Sequence, residues 1–453
     1  MRKVFKQLKL GALILNRKGT YTFKIILAAF GIALRLFFRR IETVNAHRVA
    51  DLDRVIFILN HPNGLIDPAL VFVALPKKIS FLAKSTLFRL PVISFILRTV
   101  DALPLYRKID AGEDVSKNTE TFRRCQDLLA RGGSVALFPE GVSHNSLKLL
   151  PAKTGAARIA LGTAAMNPHD SVSIAPVGLF YTSKTTFRSE ALLHFGEPFR
   201  VPRTELDEDG QPRREDVREL TQSIENALRE VTVNTESESD LYTARIAMEV
   251  LATSRESDNL GEKAELLKNY IEQTRDAALS QTLLEKELRE FDRKLAERGL
   301  EPVHLSLSQL PRAFIIRQAV IRTWFLILLL PIAAVGTALH FPAYQVCKLL
   351  AYYFTHHGAD DIVSTVKVLA AMVFMPLTWL ITAGLILYFW RWEAALASIP
   401  ISIISGYVAL YSLEEASELS GWAKAIRLFV FNRERFLRLF VTRRELLEKI
   451  RST

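Results

Sequence analysis

Cysteine is nearly absent, with Cys125 and Cys347 the only two in 453 residues. So few and so widely separated, they exclude a disulfide framework and a thiolate metal centre, and both read as ordinary apolar filler compatible with chemistry on the cytoplasmic side. Zinc-finger spacing and an RNA-binding aromatic signature are also missing, so nucleic acid is a poor partner for the formal net charge of +11. No G-x-S-x-G elbow announces a serine nucleophile. Near the amino end the chain lacks a long apolar run: ten uncharged residues separate Lys24 from Arg35, against roughly 20 for a spanning helix. "LRLFFRR" then follows where a secretory signal would place small residues for cleavage.

What is present has two characters. Hydrophobic residues make up 49% of the chain and charged residues 24%, so the two must be segregated, and the length admits two or three domains. Lys and Arg are dense over residues 1–40 and 422–451, interleaved with Phe, Leu and Ile, as expected of segments lying on an anionic lipid surface. The chain divides into a basic interfacial segment (1–45), a catalytic-type α/β domain (46–202), a charged helical connector (203–312) and a membrane region with a basic amphipathic tail (313–453).

The α/β reading rests on three short apolar runs, "RVIFILN", "GGSVALFPEG" and "VSIAPVGLFY", of the kind buried on both faces of a sheet. Helix-like stretches precede the second and third. One runs from an N-cap at Ser116 to Arg131, with Gly132 as its stop; the other is "KTGAARIALGTAAM". Alternation of this kind predicts a parallel or mixed sheet with helices packed on it. In the connector, Leu284, Leu288, Phe291 and Leu295 recur at helical spacing until Gly299, and its charges read as a solvated face.

Beyond residue 313, apolar runs cover 324–339, 368–390 and 394–413. The last two are long enough to cross a bilayer and are joined only by "RWE", which predicts a tight hairpin. The first is interrupted by Pro331 and reads with its continuation to 354 as a shallow re-entrant pair. Arg317, Arg322 and the basic tail place both flanks in the cytoplasm and predict an even number of crossings. The tail itself reads as an amphipathic helix on the inner membrane surface.

The candidate chemistry lies in "NHPNGLIDP", residues 60–68. His61 falls just past the carboxyl end of the first buried strand and Glu140 just past the second, where open α/β sheets bind ligands. Asp67 reads in two compatible ways. Followed by Pro68 it is a good helix N-cap; turned back, its carboxylate would fix the His61 tautomer and stabilise the imidazolium. A lone histidine after a strand more often serves structure, and the "FPEG" block makes the functional reading the better one. These residues offer nitrogen and oxygen donors, yet a catalytic metal would want more imidazoles or a tight helical spacing, so no metal is expected.

Taken in order, "NHPNGLIDP", "FLAKSTLFRLP", "DALPLYR", "FPEGVSHNSLKLLPAKTGAARIAL" and "IAPVGLFY" resemble the successive blocks of the glycerolipid acyltransferase family over roughly residues 35–202. The chain departs from the usual pattern in having five residues, not four, between His61 and Asp67. In that spacing, and in "FPEGxSH" where "FPEGTR" is commoner, it is similar to the fungal-type branch acting on glycerol 3-phosphate or dihydroxyacetone phosphate. "DDIVSTVKVLAAMVFMPL" also resembles that branch's membrane-entering segment.

The resemblance implies a mixed α/β sheet flanked by helices and transfer of a fatty acyl group from acyl-CoA or acyl-carrier protein to a glycerol hydroxyl in phospholipid synthesis. No cofactor and no covalent enzyme intermediate are implied. His61 would be the general base and Asp67 its orienter; an imidazole is well suited to take a proton from an alcohol as it attacks. Arg107, whose planar fork suits phosphate, would bind the acceptor with Lys84 second. Glu140 and Gly141 match the third block, implicated in acceptor binding, and Pro176 in the fourth would shape the donor crevice. Ser143 stands where other members have an arginine, so that contact is either missing or supplied by Lys148 or Lys153. A lysophospholipid such as 1-acylglycerol 3-phosphate is the alternative acceptor, and a non-catalytic lipid-binding scaffold the alternative class. The expected setting is a multi-pass membrane protein with its α/β domain facing the cytoplasm.

Overall fold

A computed structural model describes residues 20–75, 77–146, 148–166, 171–208, 210–235, 237–254, 259–274, 280–309, 312–355 and 362–452. Two compact units divide the chain. One comprises the described residues up to Asn234 with those of 354–368; the other comprises 235–353 with 369–453. The basic residues expected on lipid at positions 1–19 lie outside the described residues.

The first unit is built on an eight-stranded mixed sheet in the order β1-β7-β6-β2-β5-β3-β4, with β8 paired to β6. Its strands are β1 (Arg40–Val44), β2 (Val55–Leu59), β3 (Ser80–Lys84), β4 (Leu103–Leu105), β5 (Ser134–Leu137), β6 (Ser173–Tyr181), β7 (Glu190–Phe195) and β8 (Phe199–Arg200). The three expected strands are β2, β5 and β6, and every residue of β2 and β5 is buried. They lie together because β2 pairs in parallel with both of the others. With β3 and β4 added in parallel, five strands end on the same edge. β7 runs antiparallel to β6, which makes the sheet mixed.

Helices cover both faces. Besides the single turn His47–Ala50, those in this unit are α1 (Tyr21–Phe37), α2 (Ile66–Ala74), α3 (Pro91–Thr99), α4 (Asn118–Ala130), α5 (Gly155–Met166) and α6 (Arg214–Val231). The expected N-cap at Ser116 is displaced: a short 3-10 turn over Val115–Lys117 precedes α4, and the Asp114 carboxylate accepts the Ser116 N–H. Gly132 ends α4 with φ +82°, as a stop residue should. α1 is amphipathic in the sense expected of an interfacial helix, but its buried side packs on protein. Phe23, Leu27, Phe30 and Leu34 are buried, with Phe23 edge-on to Phe72 of α2, whereas Tyr21, Ile25 and Ile32 are exposed. Arg188 closes its carboxyl end by donating to the carbonyls of Arg35, Leu36 and Phe38.

The sheet unit extends past the expected boundary at 202. Val217, Leu220, Ile224 and Leu228 of α6 enter the core formed by Ile56, Val135, Ile159 and Ile174. The charges that made this stretch read as connector occupy its outer face. α6 approaches β6 so closely that a Cβ on Gly178 would lie 1.8 Å from the Val231 carbonyl oxygen. Gly178→Ala is therefore expected to force helix and strand apart at a cost of about 1–3 kcal/mol, read as a lower melting temperature of the solubilised protein.

The second unit is helical: α7 (Glu238–Ser254), α8 (Leu260–Thr274), α9 (Ser280–Ala296), α10 (Arg312–Thr355), α11 (Val363–Phe389, shared with the first unit at its start), α12 (Trp392–Phe431) and α13 (Arg433–Ser452). Leu284, Leu288, Phe291 and Leu295 form the buried stripe of α9, as their spacing required. Three helices, not two, are long and apolar enough to cross a membrane by length and composition. The re-entrant pair expected over 324–354 is instead part of one continuous helix that carries Pro331 and Pro342 internally, an arrangement tolerated where neighbouring groups re-satisfy the freed carbonyls.

Small residues let these helices approach. The buried residues of α12 are Ala395, Ser398, Ser402, Ser405, Ala409, Ser412, Gly421 and Ala425, the interface composition favoured in lipid. His340 of α10 donates from Nδ1 to the Gly336 carbonyl (2.8 Å) and accepts from Trp379 of α11 at Nε2 (2.8 Å). With both ring nitrogens engaged, it serves as a polar clasp between helices. The tail expected to lie on lipid finds protein partners: Phe436, Leu439, Leu446 and Ile450 are buried, and α13 packs on α7 and α9. Arg443 is buried with them and donates to the Pro302 carbonyl.

Candidate active site

The carboxyl ends of the five parallel strands bring the candidate residues together. Tyr181 ends β6, Lys84 ends β3, His61 and Glu140 follow β2 and β5, and Arg107 follows β4. Parallel pairing forces this convergence, because every strand exits on one edge. Asn60 ties two of the exits, donating from Nδ2 to the Leu179 carbonyl (3.1 Å) and accepting the Leu179 N–H at Oδ1 (2.7 Å).

His61 Nδ1 stands 2.8 Å from Asp67 Oδ2. Asp67 is fully buried while the His61 side chain retains 17% exposure, so the pair has a dry anchor and a wet tip. The carboxylate also accepts the Asn63 N–H at Oδ2 (2.7 Å) and the Tyr181 hydroxyl at Oδ1. An acceptor-only carboxylate facing Nδ1 makes that nitrogen the donor, which leaves Nε2 with its lone pair outward. Tyr181 is held well above its ordinary range by burial and by the Asp67 charge, and so remains a neutral donor.

The N-cap reading of Asp67 does not hold. Asp67 is the second residue of α2, and the cap position, Leu65, makes no side-chain bond. A turn closed by Ile66 N–H on the Asn63 carbonyl (3.0 Å) starts the helix by backbone bonding alone, which frees the carboxylate for His61. The extra residue of the long tether is absorbed by this turn, with Gly64 in the left-handed region at φ +43°.

Glu140 supports His61 from behind. Buried at 2% exposure, it accepts the backbone N–H of His61 at Oε1 (3.0 Å) and the Leu150 N–H at Oε2 (2.9 Å). His144, which the sequence reading passed over, also bonds Oε2 through Nε2. The two histidines are thereby distinguished. His144 Nδ1 accepts the Ser146 N–H (3.1 Å), so its proton resides on Nε2 and no lone pair is left; it can brace Glu140 but cannot act as a base. Phe138 stacks on the His61 ring with centroids 3.7 Å apart and planes 10° from parallel. Its signal was present in "FPEG" as the residue before Pro139, whereas Tyr181 carried none beyond a place at a strand end.

The cations form a second cluster. Arg107 donates from Nε and Nη2 to the two oxygens of Asp110 (2.9 and 3.0 Å) and from Nη1 to the Gly141 carbonyl (3.1 Å). Lys84 approaches the same carboxylate at 2.9 Å. One positive charge remains in excess, and among the described residues three of the five guanidinium N–H groups find partners. Arg107 is thus linked through Gly141 and Glu140 to the backbone of His61. Gly141 has φ +74°, and a Cβ there would lie 2.6 Å from Lys153 Nζ, which brings a third cation to the same turn. Ser143 does not carry a charge to the site; it accepts the Gly64 N–H (3.3 Å) and holds the His–Asp loop.

The Arg107 hydrogen bond, with Lys84 assisting, pulls the Asp110 carboxyl down to about 2. Because its folded value lies below the unfolded one, Asp110 contributes stability that is complete above about pH 4 and lost as pH falls toward 2. Asp110→Asn is expected to flatten the acid-unfolding profile within that window, measured by the hydrogen-exchange protection of peptides from the sheet unit.

No group of three or more His, Cys, Asp or Glu side chains among the described residues could hold a metal ion. Burial pushes the Cys125 thiol up to about 12, far from a reactive thiolate.

Fold and site together define an acyltransferase-type α/β domain, and residues 40–179 match the Acyltransferase family model. The acyltransferase likeness is thus carried by this domain. It is 30% identical over 57% of its length to glycerol-3-phosphate O-acyltransferase 2 of Saccharomyces cerevisiae, and spans 37% of the length of that relative. A chloroplastic 1-acyl-sn-glycerol-3-phosphate acyltransferase of Brassica napus is 29% identical over 31% of this chain and 38% of its own. Among solved structures, the 1-acyl-sn-glycerophosphate acyltransferase of Thermotoga maritima aligns with a TM-score of 0.35 and 20% identity, over 47% of this chain and 78% of that one.

Proposed function

We propose that this protein transfers a fatty acyl group from the thioester of acyl-CoA or acyl-carrier protein to a hydroxyl of glycerol 3-phosphate or dihydroxyacetone phosphate. The observation that carries this reading is the His61–Asp67 contact of 2.8 Å, with Nε2 left facing outward. As the acceptor oxygen bonds to the thioester carbon, Nε2 takes the hydroxyl proton, and Asp67 stabilises the imidazolium so formed. When the tetrahedral intermediate collapses, the carbon–sulfur bond breaks and the same proton passes to the departing sulfur. The balance closes without a cofactor or a covalent enzyme intermediate.

Arg107 and Lys84 bind the acceptor phosphate in this reading, and Lys153 stands beside them. Glu140 acts on the acceptor only through His61 and Arg107, since its oxygens are already bonded within the protein. The membrane helices and the amphipathic α1 keep an insoluble product at the lipid surface, with the α/β domain on the cytoplasmic face. The yeast similarity covers more of the chain than the plant one and favours glycerol 3-phosphate; the plant relative keeps 1-acylglycerol 3-phosphate as the second acceptor.

The test is a membrane preparation supplied with labelled acyl-CoA or acyl-carrier protein and each acceptor in turn. Label in acylated glycerol phosphate is expected from the intact chain and not from His61→Ala. Incorporation into no acceptor, or equal incorporation by both proteins, overturns the proposal.

A further inference from the structure

The loop joining His61 to Asp67 must hold two side chains in register although it is longer than usual for its family. Every backbone N–H between them is engaged. Pro62 has no N–H. Asn63 donates to Asp67 Oδ2 (2.7 Å), Gly64 to Ser143 Oγ (3.3 Å) and Ile66 to the Asn63 carbonyl (3.0 Å). The remaining donor, Leu65, points to the hydroxyl of Thr365 at 3.1 Å. Three partners come from the blocks that build the site. The fourth comes from a residue 300 positions away, in the first turn of α11, which continues into one of the helices long and apolar enough to cross a membrane.

This turn is fixed in place by further contacts within the sheet unit. Ser364 donates its hydroxyl to the Lys184 carbonyl, and Lys367 Nζ donates to the Thr185 carbonyl (2.7 Å). Asn63 Nδ2 reaches the same Lys184 carbonyl at 3.4 Å. The start of α11 is therefore anchored on the turn after β6, and among the described residues Thr365 is the only side chain of α11 hydrogen-bonded to the His–Asp loop.

We infer that Thr365 is a positioning residue for the reaction: its hydroxyl holds the Leu65 amide, and thereby the His61–Asp67 geometry, in the longer loop. An unsatisfied N–H in so crowded a turn would shift the loop to find another partner. Displacement of the reacting groups by about 1 Å can cost up to 10²-fold in rate. The inference rests on the reading of His61 as the base.

Thr365→Val, Thr365→Ala and Thr365→Ser, with Val373→Ala on the exposed side of the same helix as control, are to be compared in the full chain reconstituted in lipid. Two quantities are read: hydrogen exchange of peptides spanning 60–68 and 69–75 by mass spectrometry, and steady-state acyl transfer. Thr365→Val and Thr365→Ala are expected to speed exchange in 60–68 while α2 amides in 69–75 stay protected, and to lower kcat by about tenfold or more with KM within about twofold. Thr365→Ser should restore both, because the hydroxyl alone is required, and Val373→Ala should move neither. Unchanged exchange, loss of protection throughout α2 in both hydroxyl-less variants, failure of serine to rescue, or an equal effect of Val373→Ala would each overturn the inference. If the wild-type chain acylates no acceptor, the proposed activity falls on its own, and the exchange data still decide whether the hydroxyl holds the loop.

Discussion

His61→Ala is expected to lower acyl transfer by about 10²- to 10⁴-fold, chiefly in kcat, because the contribution lost is proton transfer in the transition state and not ground-state binding. The cluster of Lys84 at the end of β3 with Arg107 and Asp110 in the loop after β4 is expected to stay intact in the variant. Asp67→Asn is the sharper companion. An asparagine that places its oxygen where Oδ2 lies would still accept from His61 and from Asn63, and the Tyr181 hydroxyl could turn to accept from its NH₂. Geometry is preserved and only the charge is removed. The expected loss is on the order of 10³, about the 4 kcal/mol by which a carboxylate favours an imidazolium at an effective dielectric of 20. Labelled-acyl transfer measured over a range of acceptor concentrations separates kcat from KM in both variants. A loss confined to KM would contradict the proton-transfer role of His61.

Glu140→Ala is expected to have the second largest effect, on stability as well as rate. Three donors converge on this buried carboxylate: the His61 N–H, the Leu150 N–H and His144 Nε2. Truncation leaves all three without a partner, and each buried unsatisfied group costs about 1–3 kcal/mol. A destabilisation of about 3 kcal/mol or more follows even with partial relaxation, visible as a markedly lower melting temperature and as lost activity below it. His144→Ala should be milder, since Glu140 keeps both backbone donors.

Residues whose chemistry is local were legible early. His61, Asp67 and Glu140 sit in blocks whose order and types fix them within a few residues of a strand end, and the buried stripe of α9 followed from the spacing of Leu284, Leu288, Phe291 and Leu295. β2, β5 and β6 were legible because strands buried on both faces must be continuously apolar. β1, β4 and β8 were not, because short or edge strands with partly solvated residues carry a mixed pattern that resembles loop, and β3 and β7, though inner strands, have their apolar runs cut short by Ser80 and Lys84 and by Glu190 and His194. The same limit hid α6, whose charged outer face made it read as connector although four apolar residues enter the sheet core.

The amino-acid sequence by itself determined that this protein joins an α/β domain with a parallel or mixed sheet to apolar membrane-type helices, and that a histidine and two carboxylates fall near strand ends. Hydrophobic periodicity and short-range spacing are enough for that. Only the tertiary structure decided that Asp67 orients His61 and does not cap α2, that Tyr181 and His144 brace the pair, and that Thr365 closes the loop from 300 residues away. Each of those assignments depends on where hydrogen-bond donors and acceptors converge in space, and linear order does not record that convergence.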